Sequence, residues 1–369
     1  MKLICTKSDL LSGINIVLKA VPVKTTMEIL ECVVINSYEG KIRLIGNDMA
    51  LGIETIVKGD IVEEGRIAVN AKIFSDIIRK LPDSEIVITA DDNNVRIKCE
   101  KVNFNIAARD AGDFPALPII EKNNCARMSQ FTLKDMIRQT VFSIGAESES
   151  SKIMSGELLE IKGNRIRLAA LDGNRIAVRN VELKYDYGNQ KVIVPGKTLN
   201  EMMKILSSEQ NDEVSIYFST NLIMFEMTDT IVISRLIEGK YYMVDQMLSG
   251  DYETRVTINN REFIDCIDRA MLLLKESDKK PLVIGINDDE MEVKMNTQMG
   301  KFDEILNVDK NGDNILIAFN PKYVLDALRV IDDENIDLYM MNVKSPCIIK
   351  DKEESYMYLI LPVNFDAAL

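Results

Sequence analysis

Apolar and polar residues recur in three segments of the chain with the period of an amphipathic helix. The segments are AKIFSDIIR at 71–79, GKTLNEMMK at 196–204 and PKYVLDALR at 321–329. In the first segment, the pattern predicts one apolar side made of Ile73, Phe74, Ile77, Ile78 and Leu81. The segments match position by position at a constant step of 125 residues, from 72 to 197 and from 197 to 322. This match predicts one structural unit that the chain uses three times.

A second helix is predicted in each unit, within residues 6–21, 133–144 and 260–275. Its equivalent cations are Lys7, Lys134 and Arg261, at a constant step of 127 residues, from 7 to 134 and from 134 to 261. Each cation lies near the start of its helix, where it opposes the helix dipole by up to about 1 kcal/mol. The stability of the helix therefore does not explain why a cation recurs there.

Alternation of apolar and polar residues, as in half-buried strands, predicts strands in the runs that begin at residues 85, 213 and 335. Turn residues between the runs indicate antiparallel hairpins. Helices on one face of antiparallel sheets define an α+β fold. Together with the repeat, the pattern predicts three domains at 1–120, 128–246 and 247–369, joined by polar linkers near 118–130 and 245–253.

Composition narrows the classes of function. The 369 residues carry a net charge of -13 and include no histidine, the commonest general base and metal ligand, which lowers the expectation of an enzyme. The six cysteines form no C-x-x-C pair, which argues against a zinc site and favours free thiols in a reducing compartment. No apolar run approaches the ~18 residues of a membrane span, and the first residues do not resemble a signal peptide. We therefore expect a cytoplasmic protein.

The repeated cations admit two interpretations. In the first, each helix has a solvated face with i,i+4 ion pairs worth a few tenths of a kcal/mol: Lys72 with Asp76, Lys197 with Glu201 and Lys322 with Asp326. In the second, the cations form a basic stripe on an acidic protein. Such a stripe is typical of proteins that bind the nucleic-acid backbone without reading its sequence. Recurrence in all three units favours the second interpretation.

Four further segments identify a family. They are DFPALP at 113–118, LAALDGNRIAV at 168–178, VIVPGKTLNEMMKIL at 192–206 and YMYLILPV at 356–363. Together with the threefold repeat, they resemble the bacterial sliding clamp, the beta subunit of DNA polymerase III, over essentially the whole chain. The resemblance implies the DNA clamp fold, in which two three-domain protomers join head to tail in a six-domain ring lined by helices. It also implies a processivity factor with no catalytic residues, no metal and no cofactor.

The resemblance implies that the inner helices, and the loop after the first helix, present cations to duplex DNA without reading its sequence. The matching positions are Lys24, Lys72, Arg79, Lys134, Arg138, Lys197, Lys204, Arg261, Lys322 and Arg329. Lys72 also matches a position near the contact between protomers, so it has a second possible role there.

A pocket for the hydrophobic motifs of partner proteins is implied between the second and third domains. Its matching residues are Met154, Leu171, Gly173, Arg175, Ile176, Tyr242, Met247, Pro346, Leu361, Pro362 and Val363. The sequence departs from many relatives at Leu171, Asn174, Tyr242 and Gln246, and it continues as NFDAAL at 364–369. These departures concern the motif that the pocket prefers. Without the resemblance, its apolar members are typical of an ordinary core.

The contact between protomers is implied to join the first domain of one copy to the third domain of the other. The matching residues are Phe104, Ile106, Leu272 and Leu273. The implied partners are duplex DNA, the DNA polymerase III alpha subunit, the clamp loader complex, other polymerases and repair proteins with a clamp-binding motif, and a second copy of the chain. No membrane partner is implied.

Two other classes of function compete with a clamp. The tripeptide Gly196-Lys197-Thr198 is similar to the end of a phosphate-binding loop, but that motif requires glycine at 191, where the chain has Lys191. A nucleotide-binding enzyme is therefore disfavoured. A three-repeat scaffold that binds only proteins would share the fold and the pocket, but it gives the cations no role.

Overall fold

The computed structural model describes residues 1–91, 93–123, 125–146, 152–275 and 280–365. The chain divides into two compact units. The first comprises Met1–Phe131 and Lys204–Leu236, and the second comprises Thr132–Met203 and Ile237–Leu369.

Antiparallel strands dominate both units. Up to residue 129 they are β1 (Lys2–Thr6), β2 (Cys32–Tyr38), β3 (Lys41–Asn47), β4 (Leu51–Val57), β5 (Asp60–Glu63), β6 (Arg66–Asn70), β7 (Glu85–Asp91), β8 (Asn94–Cys99), β9 (Val102–Arg109) and β10 (Cys125–Ser129). Up to residue 235 they are β11 (Gly156–Lys162), β12 (Arg165–Leu171), β13 (Arg175–Glu182), β14 (Asn189–Pro195), β15 (Glu213–Phe218), β16 (Leu222–Glu226) and β17 (Thr230–Arg235). The remaining strands are β18 (Thr254–Asn259), β19 (Leu282–Asn287), β20 (Glu290–Thr297), β21 (Gly300–Asn307), β22 (Asp309–Asn311), β23 (Ile315–Phe319), β24 (Asn335–Met340), β25 (Cys347–Lys350) and β26 (Tyr356–Ile360).

The α-helices of the described ranges are few and short. They are α1 (Lys7–Val17), α2 (Ala71–Lys80), α3 (Gln130–Arg138), α4 (Gly196–Ile205), α5 (Val244–Leu248), α6 (Asn260–Met271) and α7 (Pro321–Leu328). Six of them overlap the six predicted helices, although α3 ends at Arg138 and the predicted helix at 133–144 extends further. The seventh, α5, lies in the stretch predicted as the linker 245–253, so that part of the prediction was wrong.

The linker predicted at 118–130 was also wrong in its second half. Residues 125–129 form β10, which pairs with β15, and Gln130 begins α3. Ala126 and Met128 alternate with more accessible neighbours and are buried. Cys125 and Ala126 are both apolar, so strict alternation covers only residues 126–129, which is the shortest run that indicates a strand.

The first unit contains one sheet of thirteen strands in the order β10-β15-β16-β17-β4-β3-β2-β6-β9-β8-β7-β1-β5. Helix α2 packs through Ala71, Phe74, Ser75 and Ile78, and Asn70 caps its start by accepting a hydrogen bond from the Ile73 amide. Ile73 itself is 51% exposed, which contradicts its predicted place on the apolar side. The helix turns about 100° per residue, so Ile73 lies well to one side of the line through Phe74 and Ile78.

The second unit contains a nine-stranded sheet, β14-β11-β12-β13-β26-β25-β24-β18-β22, and a four-stranded sheet, β21-β20-β19-β23. One core cluster includes Ala177, Tyr358 and Ile360 of the nine-stranded sheet with residues of α6 and α7. Another includes Ile176, Val178 and Leu359 with the segment that contains α5. Since neighbouring residues of a strand point to opposite faces, the nine-stranded sheet is covered by α6 and α7 on one face and by the α5 segment on the other.

Candidate partner-binding pocket and basic helix surfaces

The candidate pocket begins where four strands of the second unit end together. Leu171 at the end of β12 pairs with Ile176 of β13, and Ile360 of β26 pairs with both Arg175 and Cys347. The Leu361 amide donates a hydrogen bond to the Asn174 carbonyl oxygen at 2.8 Å. This register brings Leu171, Gly173, Arg175, Pro346 and Leu361 to one end of the sheet.

The turn between β12 and β13 is held by one carboxylate. Asp172 Oδ1 accepts hydrogen bonds from the amides of Asn174, at 3.0 Å, and Arg175, at 3.2 Å. Gly173 between them has φ +88°, a left-handed conformation that favours glycine. Apart from Gly173 and its two chain neighbours, no described residue has an atom within 4 Å of the place where a Cβ would stand, so the backbone of Gly173 is open to a ligand.

Buried apolar residues form the floor of the pocket. Leu171 and Ile176 belong to one cluster with Tyr241, Val244 and Leu359. Met154 packs against this cluster, and its carbonyl oxygen accepts a hydrogen bond from the Gly145 amide at 2.8 Å. Leu171 and Ile176 therefore support the site from below, whereas the sequence alone could not say whether they lie in its floor or its wall.

The accessible part of the pocket is apolar. Met247 lies on α5, whose Val244 belongs to the floor cluster, and its side chain is 46% exposed. Leu361 and Val363 are also exposed, and the Val363 amide donates to the Ala318 carbonyl oxygen at 2.8 Å. The remaining members lie at the same surface: the Tyr242 ring stands edge-on to Tyr241, and Pro346 and Pro362 are half-buried. Of the C-terminal stretch 364–369, residues 366–369 lie outside the described residues.

The side chain of Arg175, a predicted pocket residue, is buried and bonded to other residues of the protein. It is 8% exposed, and its guanidinium bonds to Asp172 Oδ2 at 2.8 Å, Asp326 Oδ2 at 2.7 Å and the Phe142 carbonyl oxygen at 2.5 Å. It also lies over the Tyr323 ring, 4.3 Å from the centroid. Burial lowers the pKa of Arg175, but the hydrogen bonds to Asp326 and Asp172 outweigh burial and raise the pKa above its ordinary value. Arg175 thus ties the pocket turn to α7.

A buried carboxyl group lies elsewhere in the same unit. Glu157 of β11 is fully buried, and Thr140 Oγ1 donates a hydrogen bond to its Oε2 at 2.7 Å. Its other oxygen has no hydrogen-bond partner in the described part of the chain. Burial raises the pKa of Glu157 to about 8, against the weaker opposing effect of the Thr140 bond.

The predicted DNA-binding cations differ in how they are held. Arg138 bonds to Asp135 and Asp332, Arg261 to Asp265, Arg329 to Asp268, and Arg79 to the Ser75 hydroxyl. Among the described residues, Lys24, Lys72 and Lys322 form no ion pair. Lys24, Lys72, Lys197, Lys204 and Lys322 have exposed side chains, and Lys134 is half-buried.

Two of the predicted i,i+4 ion pairs are absent. Within the described ranges, Lys72 does not pair with Asp76, and Lys322 does not pair with Asp326. Asp326 bonds to Arg175 instead. Asp326 pairs with buried Arg175 rather than with exposed Lys322, because an ion pair between exposed side chains contributes little stabilising free energy in water.

The residues predicted for the contact between protomers lie on the partly unpaired strand β9 and in the turn after α6, beside the edge strand β21. Phe104 and Ile106 belong to β9, which pairs with β8 along its length but with β6 only at Ala108 and Arg109. Leu272 follows α6 and is 83% exposed, and Leu273 approaches Gly300, the first residue of the edge strand β21. Ile305 of β21 is a further exposed apolar residue at this edge; it was not predicted, although its alternation with buried Leu306 was a usable signal.

In the part of the chain that the structure describes, no helix is long and apolar enough to span a membrane. The same residues contain no group of three or more Cys, Asp or Glu side chains placed to hold a metal ion.

The class of DNA polymerase clamps is defined by three-domain repetition, antiparallel sheets and paired helices. Comparison with known proteins places the chain in the same class. Sequence profiles of the DNA polymerase III beta subunit match residues 1–118 for its N-terminal domain, 127–242 for its central domain and 245–364 for its C-terminal domain. The chain belongs to the DNA polymerase III beta-subunit family, the bacterial sliding clamps. Its role is therefore that of a processivity factor in DNA replication, as the resemblance implied.

Individual relatives cover the chain nearly end to end. The beta sliding clamp of Staphylococcus epidermidis is 32% identical over 366 residues, which are 96% of this chain and 97% of the relative. A structure from Eubacterium rectale described as a DNA polymerase III beta subunit is 53% identical, with a TM-score of 0.95, and covers 99% of this chain and 100% of its own. The sliding clamp of Bacillus subtilis is 30% identical, with a TM-score of 0.94 and the same coverage.

Proposed function

We propose that two copies of the chain close head to tail around duplex DNA and tether partner proteins through the candidate pocket, without catalysis of their own. The observation that carries this proposal is the recurrence of one cation-bearing helix in all three repeats, with its apolar side buried each time and its cation on the other side. We assign the domains to 1–120, 128–246 and 247–369, close to the ranges matched by the family profiles. We also propose a cytoplasmic location, consistent with six free cysteines.

Retention on DNA tests the role of the cations. Reversing Lys197, Lys204, Lys322 and Arg329 to Glu is expected to impair loading by the clamp loader and retention on circular DNA. The matched control reverses Lys58, Lys98, Lys184 and Lys352, which are exposed cations outside the helices. Equal retention of the two quadruple variants would refute the assignment and would favour the protein-binding scaffold.

Peptide binding tests the pocket. Leu361→Asp and Met247→Asp place a charge among exposed apolar side chains and are each expected to abolish calorimetric binding of the tail peptide of the DNA polymerase III alpha subunit. Met299→Asp, at an exposed methionine outside the pocket, is the control. Micromolar binding retained by both pocket variants would remove the assignment.

The ring is tested by solution mass. Light scattering over a dilution series should give about 83 kDa, twice the chain mass of 41.7 kDa. Replacing Leu272 and Leu273 by Asp should shift the mass to that of one chain, because a heterologous contact loses its apolar surface. A wild-type protein that stays monomeric at micromolar concentration would contradict the ring.

A further inference from the structure

A groove of about 340 Å³ opens beside the candidate pocket, on the sheet face that also carries α5. Its apolar and aromatic lining consists of Leu248, Tyr252, Tyr339, Met341, Pro346, Ile348 and Met357. Its charged lining residues are Asp245, Asp251, Lys350 and Glu354. Pro346 is also a member of the candidate pocket, so the two sites are continuous. Tyr252 and Met341 are 52% and 42% exposed, which leaves apolar surface available for a ligand.

A second groove of about 300 Å³ extends the first. It shares Asp245, Glu354 and Met357 with the first groove and reaches Lys162, Arg165 and Arg167. The register places both grooves on one face, because Ile176, Leu359 and Ile348 stand in one row across the sheet and Val178, Met357 and Lys350 stand in the row two residues further on. We call the two grooves together the trough.

The far end of the trough carries a surplus of positive charge. Lys162 and Lys191 share Glu160, at 3.0 and 3.4 Å, and Arg167 bonds to Asp245 at 2.5 Å. The hydrogen bond from Arg167 and the nearby lysines hold the pKa of Asp245 below its ordinary value. The Asp245 carboxylate therefore stays ionised and remains paired with Arg167.

Arg165 lies beyond these pairs, and no ion pair engages it among the described residues. Its neighbour across the strands is Glu182. Glu354, which lines both grooves, pairs with Lys350 at 2.7 Å. At this end the cations are therefore five and the carboxylates four, in a chain whose net charge is -13: Lys162, Arg165, Arg167, Lys191 and Lys350 against Glu160, Glu182, Asp245 and Glu354. A local excess of cations on an acidic protein favours an acidic ligand.

The dimensions of the trough suit an extended peptide. It crosses from β25 through β26, β13 and β12 to β11, and neighbouring strands lie about 4.8 Å apart. With the offset along the strands, this span requires roughly seven extended residues at about 3.3 Å each.

We infer that the trough binds the stretch of a partner protein that flanks its pocket-binding motif: about seven extended residues, apolar beside Tyr252 and Met341 and acidic at Lys162 and Arg165. This inference rests on the proposed peptide pocket. It adds a specificity element, because partners that share the same hydrophobic motif would be ranked by the acidity of the flanking residues.

Calorimetry with a set of peptides tests the inference. The core peptide is the hydrophobic tail of the DNA polymerase III alpha subunit, and two longer peptides add four alternating Ala and Leu residues and then three Glu, at its N-terminus in one and at its C-terminus in the other. One of the longer peptides is expected to bind about fivefold tighter than the core at low ionic strength. The gain should shrink at high salt, and a matched peptide with three Gln should lack most of it.

Protein variants separate the trough from the pocket. Replacing Lys162 and Arg165 by Glu should remove the gain and leave binding of the core peptide unchanged, whereas Lys184→Glu should keep the gain. All three side chains are exposed, so the substitutions should not disturb the core. Circular dichroism spectra of the variants would check that they are folded.

Core binding without a gain from either extension, or a gain that survives the double charge reversal, would overturn the trough and leave the pocket standing. An acidic extension that binds when the core peptide does not would support the trough and refute the pocket. If no peptide binds, both assignments fall.

Discussion

Arg175 beneath the candidate pocket and Lys322 on the surface of α7 are both predicted functional cations, yet the structure treats them in opposite ways. Arg175 is buried among two carboxylates, a carbonyl oxygen and an aromatic ring. Lys322 is exposed and forms no ion pair in the described ranges, although Asp326 stands one turn away on its own helix. The carboxylate of Asp326 goes to Arg175. A cation that is buried needs its partner, whereas a cation in water can do without one and stays available for a ligand.

The largest effect is expected from Arg175→Ala. Removing one member of a buried ionic network leaves Asp172 and Asp326 without their partner, so the free energy of unfolding should fall by about 3–5 kcal/mol. Urea denaturation of the variant measures this loss. A change below about 1 kcal/mol would mean that Arg175 is as dispensable as a surface cation.

Glu157→Gln extends the comparison to a buried carboxyl group that has no ion pair with any described residue. The folded protein keeps the proton of Glu157 up to about pH 8, whereas an ordinary glutamate loses it near 4.5. Folding therefore binds a proton between these values, and wild-type stability should fall as the pH rises through that window. Relative to wild type, the variant should gain on the order of 3 kcal/mol between pH 5 and pH 9. Parallel pH profiles of the two proteins in urea denaturation would exclude the titration.

Asp326→Asn tests the residue that separates the two cations. The amide still accepts a hydrogen bond from Arg175 but no longer carries the charge, so the expected loss of unfolding free energy is about 1–2 kcal/mol. Asp76→Asn on α2 is the matched control, because Asp76 is exposed and has no ion pair with Lys72 in the described residues. Equal losses for the two variants would mean that the Arg175 network does not depend on the charge of Asp326.

The smallest effect on stability is expected from Lys322→Ala, within about 0.5 kcal/mol of wild type. Its effect should appear on DNA instead, where the slope of log affinity against log salt concentration should fall by about one. Salt titrations of clamp binding to nicked circular DNA measure this slope. An unchanged salt slope together with a large loss of unfolding free energy would mean that Lys322, like Arg175, serves stability and not DNA binding.

The six longer helices could be predicted from the sequence because their apolar period recurs at a fixed step along the chain. The period of a single short helix is a weak signal, and its recurrence in the other repeats strengthens it. The sequence did not predict α5, which at five residues is shorter than two helical turns, or β10, where strict alternation covers only residues 126–129. Among the candidate site residues, the positions of Leu171, Gly173 and Leu361 at one sheet end follow from strand register. The burial of Arg175 and its choice of Asp326 depend on a contact between residues 151 positions apart. No local pattern encodes such a contact.

The open edges of β9 and β21 have a consequence for how the protein behaves at high concentration. An edge strand exposes unpaired amide and carbonyl groups that can accept a strand from another molecule. If β9 of one copy pairs with β21 of another, the first copy keeps a free β21 edge and the second keeps a free β9 edge. Such growth ends only when the rotation between copies closes a circle, and otherwise it continues as a filament. The rotation between successive copies therefore decides whether the same contact yields a discrete assembly or an insoluble polymer.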